Sequence, residues 1–328
     1  MSSAPVCILI SMLGANSSFA LGLSQARGLL TLAGLLVFQL RSPSLDAKTV
    51  RQLSNQTGVD VVVVAHADDW QVFMGDAVVE RVKSGRRPVF IYLTAGDHGR
   101  DSVYWQQREH AALQSVRFAL GTAPEATARC DTAHVAAHAI TRCSLGSSVS
   151  YFLRLPDGNR NGAGFRRNRF ESLRKLRTDR IADIRAVDGS ARYTDWQDLR
   201  ATVGVLVHLE TDSSQSGETV LHATDPSVRI NPHDHYDHRM AGKLVESLLR
   251  ANGWSGRYYI GYALATRAPN RTNMQRQEKL TVFSAYDREM MRMNKSWSAY
   301  REHPEFYAEC MQRTYARTVR SASAPTHR

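Results

Sequence analysis

The sequence predicts an α/β fold, Rossmann-like, with a mostly parallel sheet flanked by helices. The first observation is the run Val59–Ala65 (VDVVVVA), which is apolar on both faces and typical of a central parallel strand. The second is the alternation that follows it. Helical spacing over Phe73–Ser84 is succeeded by a strand over Pro88–Thr94 and a long helical pattern over Ser102–Leu120, which ends at Gly121. This strand–helix–strand–helix order indicates a doubly wound sheet.

The remaining segments continue this pattern less regularly. Further strands are predicted over Ser150–Leu155, Thr219–Thr224 and Arg257–Ala265, and further helices over Phe170–Ile184, Asp195–Leu209, His235–Ala251 and most of 277–318. The segment Cys130–Cys143 is interpreted as a loop or a short hairpin. We expect the C-terminal segment to pack across the sheet or to cover one of its edges.

The composition predicts one folded domain with a basic surface. The chain is 43% hydrophobic and 22% charged, which is ordinary for a globular protein, and its formal net charge is +11. Its basic residues are scattered and form no recognised nucleic-acid motif, so no nucleic-acid partner is expected. A soluble basic surface is favoured, with weak association with an anionic membrane or envelope as the alternative. We assign 48–328 to a single domain with an insert at 121–218 and a helical tail, and leave the oligomeric state open.

Residues 1–47 differ from the rest because they carry almost no charge. Their apolar run Gly28–Leu40 is too short for a membrane span of about 20 residues, but it has the length of a signal-peptide core of about 7–15. We interpret 1–47 as a signal-like or membrane-associated segment of an extracytoplasmic protein. A buried N-terminal helix in a cytoplasmic protein is the alternative. Export would agree with a disulfide between Cys130 and Cys143, although two free thiols also fit the sequence.

Two clusters of histidine and aspartate carry the candidate chemistry. The sequence HADDW at 66–70 directly follows the first predicted strand, and HDHYDH at 233–238 opens a predicted helix. In open α/β sheets ligands bind beyond the carboxyl ends of the strands. We therefore expect both clusters to meet at that edge and to form a metal site.

A hydrolytic metal site needs three nitrogen or oxygen ligands, an open position for water, and a separate carboxylate that accepts the proton of the water. The candidate metal ligands are His66, Asp69 and His238. Asp68 lies between two of them and is the candidate base. Asp237 is expected to accept a hydrogen bond from a ring N–H and to fix the tautomer of a histidine.

Both clusters resemble motifs of the PIG-L (LmbE-like) deacetylase family. HADDW is similar to the AHPDDE motif of that family, and HYDH at 235–238 is similar to its HPDH or HxDH motif. The resemblance implies a Rossmann-like enzyme that uses zinc, or another divalent metal, to remove N-acyl groups, typically from N-acetylglucosamine conjugates. It also implies that His66, Asp69 and His238 hold the metal and that Asp68 is the general base. His235 matches the histidine that steadies the oxyanion or protonates the amine.

The resemblance covers 58–120 and 219–265, and it indicates the residues that would contact substrate. The strand end around Asp97 resembles the loop after the family's second strand, and Arg108 resembles an arginine that approaches the substrate. Ala67 replaces the usual proline and Trp70 the usual glutamate of the first motif. An indole at position 70 would stack on a sugar ring or fill the core.

Three functional hypotheses follow from these residues. The first is a zinc-dependent N-deacetylase acting on a small-molecule or glycan N-acyl substrate. The second is a non-catalytic or weakly catalytic carbohydrate-binding relative, suggested by Trp70. The third is a metal phosphoesterase, suggested by HDHYDH, a class that commonly uses two ions about 3.5–4 Å apart.

Overall fold

The computed structural model describes residues 58–211, 217–294 and 298–320. The signal-like segment predicted at 1–47 lies outside the described residues. Within the described ranges, no helix combines the length and the apolar character that crossing a membrane requires.

A mixed sheet forms the centre of the fold. Among the described residues the strands are β1 (Gly58–Val64), β2 (Arg87–Thr94), β3 (Arg129–Val135), β4 (His138–Leu145), β5 (Ser148–Leu155), β6 (Ile184–Arg185), β7 (Arg192–Tyr193), β8 (Glu218–Thr224), β9 (Ser255–Tyr259) and β10 (Ala316–Val319). Eight of these form one sheet in the order β10-β9-β8-β1-β2-β5-β4-β3, and β6 pairs with β7. The five strands from β9 to β5 are parallel, whereas β10, β4 and β3 are antiparallel to their neighbours. The predicted mostly parallel α/β sheet is confirmed.

Helices cover both faces of this sheet. In the described part they are α1 (Asp69–Lys83), α2 (Ser102–Leu120), α3 (Leu173–Arg177), α4 (Trp196–Thr211), α5 (Tyr236–Asn252), α6 (Asn273–Asn294), α7 (Ala299–Glu302) and α8 (Pro304–Met311). Apolar residues of α4 and α5 pack on one face, and those of α1, α2 and α6 pack on the other. The two hydrophobic cores thus lie on opposite sides of the sheet.

Strand β1 lies between β2 and β8, as its sequence predicts. Val61 and Val63 point into the core under α4 and α5, while Val62 and Val64 point into the core under α1 and α2. Successive side chains alternate between the faces of a strand, so only a strand that is apolar at every position can be buried on both sides. Burying each such valine contributes about 1.5–3 kcal/mol. This burial fixes the position from which the first motif starts.

The predicted helix over Phe170–Ile184 is wrong for most of its length. Only α3 forms there, with Ser172 as its N-cap. Its positive side chains Arg174, Lys175 and Arg177 are not balanced by acidic residues on the same turns, so the helix gains no ion pairs along its surface. Asp179 then takes a left-handed conformation (φ 54°), which ends the helical pattern.

The C-terminal part contains more types of element than predicted. The strand expected over Arg257–Ala265 ends at Tyr259, and a short 3-10 helix, Tyr262–Thr266, follows. The tail is mostly helical, but it ends in β10, which pairs with β9 and forms one edge of the sheet. Of the two expected positions, the edge is confirmed, because β10 covers it; α6 packs against α1 and α2, the helices that lie on the sheet.

The segment 121–218, described above as an insert, supplies three strands to the main sheet. Cys130 and Cys143 are paired residues of the β3–β4 hairpin and form a disulfide. Strand β5 pairs in parallel with β2. The loop that follows β5 therefore begins at the same edge of the sheet as the loops after β1 and β8.

Candidate metal and catalytic site

The polar segments that follow β1, β2, β5 and β8 meet at the carboxyl edge of the sheet. His66, Asp157 and His235 come from three of these segments and line one pocket. The expected convergence arises because the four strands are parallel neighbours, so their carboxyl ends lie side by side.

Three buried side chains form the centre of the site. His66 Nδ1 lies 3.3 Å from Asp69 Oδ1 and 3.3 Å from His238 Nε2, and the last two atoms are 3.0 Å apart. Ligands bonded to zinc at 2.0–2.1 Å in a tetrahedron lie roughly 3.3 Å from each other. The three predicted ligands thus have the spacing that one divalent ion requires, and they form a group that could hold one.

Local backbone structure explains this spacing. The amide of His66 donates to Asp69 Oδ2 over 2.8 Å, so the turn that follows β1 holds both side chains together. His238 lies in the first turn of α5, and its carbonyl oxygen accepts a 2.7 Å hydrogen bond from the Thr224 hydroxyl at the end of β8. The third ligand is therefore tied to the strand beside β1.

The residue that orients His238 is Asp234. Its Oδ1 atom lies 3.0 Å from His238 Nδ1 and also accepts a hydrogen bond from the amide of Tyr262. The nearest ring nitrogen to the Asp237 carboxylate is His66 Nε2, at 3.6 Å. The sequence interpretation named Asp237 for the orienting contact and missed Asp234, although the four-residue spacing from Asp234 to His238 was a signal for it.

The electrostatics of the cluster favour a cation. Burial lowers the pKa of His66, but the carboxylates of Asp69 and Asp237 outweigh this effect and raise it well above its ordinary value. Burial likewise lowers the pKa of His238, yet Asp69 and Asp234 raise it to about 10. Burial raises the pKa of Asp69, and the two histidines bring it well below its usual range. Positive charge is thus strongly stabilised at this position.

Asp68 lies beside the cluster in an ion pair with Arg108. Arg108 Nη2 donates to Asp68 Oδ1, while Arg108 Nε donates to the Tyr286 hydroxyl over 2.8 Å and Nη1 to the Gly96 carbonyl over 2.7 Å. A Cβ at Gly96 would lie 2.7 Å from Arg108 Nη1, so only glycine allows this approach. Asp68 and Arg108 both line the pocket, and the arginine holds the carboxylate in place.

His235 lines the same pocket with one ring nitrogen already engaged. As the N-cap of α5, its Nδ1 accepts a hydrogen bond from the amide of Asp237 over 3.2 Å. The ring proton is therefore on Nε2, which lies 3.7 Å from Asp157 Oδ1. Burial, together with the charges of His66 and His238, lowers the pKa of His235, so the ring is neutral.

The loop after β5 is held by carboxylates of its neighbours. Asp97 Oδ1 accepts from the amide of Asp157 over 2.9 Å, and Asp237 Oδ2 accepts from the amide of Gly158 over 2.7 Å. A Cβ at Gly158 would lie 2.5 Å from Asp237 Oδ1, so this contact also requires glycine. Asp157 is fixed in this way in the lining of the pocket.

Two residues expected to contact substrate do not line the pocket. Trp70 is fully buried, and its indole N–H donates to the Tyr92 hydroxyl over 3.0 Å, so it fills the core as the alternative interpretation had it. Asp97 is also buried, and its carboxylate accepts hydrogen bonds from the backbone of Gly99 and Asp157 and from the Asn168 side chain. Asp97 therefore links the loop after β2 to the loop after β5.

The pocket above the cluster has a volume of about 390 Å³. Its rim includes residues of α7, α8 and the turn between them, which the sequence interpretation did not connect with the site. These are Glu302, His303, Phe306 and Tyr307. Phe306 meets the ring of Tyr262 edge-on, at 5.6 Å between centroids, and Tyr262 in turn contacts the ring of His238. The rim is therefore connected to the ligand cluster through the ring of Tyr262.

An α/β domain with a His–Asp–His cluster at its strand ends and a carboxylate beside it is typical of hydrolases. Residues 61–249 match the family described as PIG-L: GlcNAc-PI de-N-acetylase. The chain belongs to this family of deacetylases, as its two motifs predict.

Comparison with solved structures finds other deacetylases. N,N'-diacetylchitobiose deacetylase from Pyrococcus horikoshii has 15% sequence identity and a TM-score of 0.41, covering 84% of this chain and 90% of that one. The antimicrobial A40926 pseudoaglycone deacetylase has 11% identity and a TM-score of 0.42, covering 82% and 100%. A deacetylase of the teicoplanin biosynthetic pathway has 9% identity and a TM-score of 0.44, with the same coverage. No curated protein matches the sequence significantly.

Proposed function

We propose that the protein is a zinc-dependent hydrolase that removes an N-acyl group, such as acetyl, from an amino-sugar or glycoconjugate substrate. The observation that carries this proposal is the position of Asp68. Its carboxylate lies in the pocket beside the buried His66, Asp69 and His238, and Arg108 holds it there. Membership of the deacetylase family supports the same reaction.

His66, Asp69 and His238 would hold the metal. When bound, zinc polarises a carbonyl oxygen and lowers the pKa of water to about 7. The same ligands accept other divalent ions, so metal analysis must identify the native one.

Asp68 is the general base in this proposal. Asp68 is next to the ligand Asp69 in the sequence. Its carboxylate, however, forms an ion pair with Arg108 and is not part of the ligand group. It would accept the proton of the attacking water and return it to the amine when the C–N bond breaks. Arg108 holds the carboxylate in place, because its other nitrogens are anchored by Tyr286 and Gly96.

His235 would donate a hydrogen bond to the oxyanion that forms on the acyl carbon. Because Nδ1 accepts from the backbone, the Nε2–H group is the available donor. The motif at 235–238 is compatible with two roles for this residue, oxyanion stabilisation and protonation of the amine. The neutral ring supports the first.

The pocket also fits the size and polarity of an amino sugar. Its volume of about 390 Å³ falls within the range for small-molecule sites, about 300–1,000 Å³. Asp157, Asn159 and Arg160 form one side of it and supply donors and acceptors for sugar hydroxyl groups. Phe73 and Tyr262 add apolar surface to the lining, and the ring of Tyr262 lies 5.6 Å from the guanidinium carbon of Arg160.

The phosphoesterase hypothesis has one observation in its favour. A second group of side chains, His66, Asp157, His235 and Asp237, could also hold a cation. The two groups share His66 through its opposite ring nitrogens, however, so two ions would be separated by the whole ring and not by about 3.5–4 Å. One ion per chain is therefore favoured. The carbohydrate-binding hypothesis was suggested by Trp70, and this residue is buried and cannot contact a sugar.

The test combines metal analysis with detection of free amines. Purified protein should contain about one zinc per chain and should release acyl groups from some member of a panel of N-acetylglucosamine conjugates. Asp68→Asn should keep the metal while kcat falls by about 10²–10⁴. Asp179→Asn, the same change at an exposed loop residue, is the matched control.

Two results would contradict the proposal. Full turnover by Asp68→Asn would remove the assignment of the base. A wild-type protein that binds zinc but releases no amine from any conjugate would remove the proposed reaction.

A further inference from the structure

A row of aromatic rings extends from the ligand cluster to the rim of the pocket. The centroids of the Phe73 and Tyr262 rings lie 5.3 Å and 5.1 Å from that of His238, and both rings meet the imidazole edge-on. The Phe306 ring follows, 5.6 Å from that of Tyr262. All three side chains line the pocket, and we call them the aromatic row. The lining is therefore aromatic from the proposed ligand His238 to the rim.

Two buried carboxylates lie on another side of the ligand cluster. His66 Nδ1 faces Asp69 and His238. The other ring nitrogen, Nε2, lies 3.6 Å from Asp237 Oδ2 and 3.9 Å from Asp157 Oδ2. The imidazole of His66 therefore lies between these two carboxylates and His238, on which the aromatic row packs.

Two rings of the aromatic row present apolar surface to a ligand. Tyr262 and Phe306 are half-buried and line the pocket, so part of each ring is open to it. Polar residues begin at Tyr262, since the guanidinium carbon of Arg160 lies 5.6 Å from the centroid of its ring. The family match ends at residue 249, so both rings belong to a part of the chain that the match does not describe. Removing apolar surface from water is favourable, so a ligand with an apolar part would bind against these rings.

The substrate of an N-deacylase has chemically different parts on the two sides of the bond that is cleaved. The amino sugar carries hydroxyl groups, which need hydrogen-bond partners when they are buried. Asp157, Asn159 and Arg160 supply such partners in the lining. The acyl chain has no polar group beyond its carbonyl, so it is stabilised only by apolar contact. The aromatic row supplies that contact beside His238, next to the position of the scissile carbonyl.

We propose that the aromatic row binds the acyl chain of the substrate, and that the enzyme prefers a chain of medium length, such as hexanoyl, to acetyl. The proposal rests on the function proposed above. An acetyl group has a single methyl carbon beyond its carbonyl, so it can contact only the rings next to His238. A longer chain can also contact Phe306. The other rim residues, Glu302 and His303, are exposed and polar, so a chain that extends past Phe306 gains little.

The experiment varies the acyl chain on one amino sugar. The methyl glycosides of N-acetyl-, N-butanoyl-, N-hexanoyl- and N-decanoylglucosamine are compared by their kcat/KM. Each CH2 group that becomes buried increases affinity by roughly fourfold, so the hexanoyl substrate should exceed the acetyl substrate by at least about tenfold, mainly through KM. The decanoyl substrate should give no further increase. Equal kcat/KM for the acetyl and hexanoyl substrates would overturn the proposal.

A further substrate shows which part of the molecule the aromatic row contacts. The hexyl glycoside of N-acetylglucosamine carries its apolar chain on the sugar side and not on the amide. Its kcat/KM should be close to that of the methyl glycoside. A preference for the hexyl glycoside as large as that for the hexanoyl amide would show attraction to any apolar chain, and it would overturn the assignment to the acyl group.

Variants of Phe306 test whether the aromatic row causes the preference. Phe306→Ala should lower the ratio of hexanoyl to acetyl kcat/KM by about threefold to tenfold, because the ring that only the longer chain reaches is removed. Phe306→Leu keeps an apolar side chain and should retain part of the ratio. Phe170→Ala removes the same ring from an exposed position outside the pocket and should leave the ratio unchanged. An unchanged ratio in Phe306→Ala would overturn the role of the row.

Binding measured without turnover separates this proposal from the proposed function. Titration calorimetry on zinc-loaded Asp68→Asn should show tighter binding of the hexanoyl than of the acetyl substrate, and adding Phe306→Ala should remove the difference. Such binding in a protein whose wild type releases no amine would support the acyl site and refute the deacylase. Amine release with equal kcat/KM for both chain lengths would overturn the acyl site alone.

Discussion

The floor and the rim of the pocket differ in burial and in the contacts that hold their residues. On the floor, His66, Asp69 and His238 are buried, and their side chains contact one another within 3.3 Å. On the rim, Glu302 and His303 are exposed and Phe306 is held mainly by ring contacts. A change on the floor should abolish function, whereas a change on the rim should alter which ligand binds.

The largest expected effect is the loss of metal from a floor variant. His238→Ala removes a ligand and leaves Asp69 and His66 with an incomplete site, so bound zinc and deacylation should both be lost. Inductively coupled plasma mass spectrometry after gel filtration measures the metal directly. His134→Ala, at an exposed position of β3, should retain it. Stoichiometric zinc in His238→Ala would show that the ion binds elsewhere.

A smaller effect is expected for a variant of Asp234, the residue that orients His238. Asp234→Asn keeps the shape of the side chain but weakens the contact with His238 Nδ1, which orients the ring. Residues in this position typically contribute about 10–100-fold to metal affinity. Competition with a chelator should show a loss of that size, against an unchanged Asp179→Asn control. If the affinity does not change, His238 is oriented by its packing against Phe73 and Tyr262 alone.

The smallest effect is expected on the rim. Phe306→Ala removes a ring from the mouth of the pocket, so KM should rise by about threefold to tenfold while kcat and metal content stay the same. Phe170→Ala makes the same change at an exposed position outside the pocket and should have no effect on KM. A fall in kcat or in zinc content for Phe306→Ala would mean that the rim supports the ligand cluster and does not only contact substrate.

The floor could be predicted from sequence because its determinants are local. A strand that is buried on both faces can be identified from its valines alone, and His66 and Asp69 follow it within one turn. Asp234 was missed for a physical reason. The sequence 233–238 contains two aspartates, and which of them contacts His238 depends on where α5 begins.

The rim could not be predicted because the contacts that place its residues join segments far apart in the sequence. Phe306 reaches the pocket only because α6 packs on α1 and α2 and the chain then returns across the site. No periodicity within 299–311 indicates which face of those helices meets a loop from the other half of the sequence. Burial of Trp70 was likewise set by a distant residue, because the Tyr92 hydroxyl on β2 accepts its indole N–H.

The hydrogen bonds to Asp157 and Gly158 have a consequence for changes in chain length. Asp97 and Asp237 bind two successive amides at the start of the loop after β5. The chain moves away from this anchored position only at Asn159, after the two hydrogen bonds. Insertions or deletions beyond Gly158 can therefore reshape the loop around Arg160 while Asp157 keeps its place.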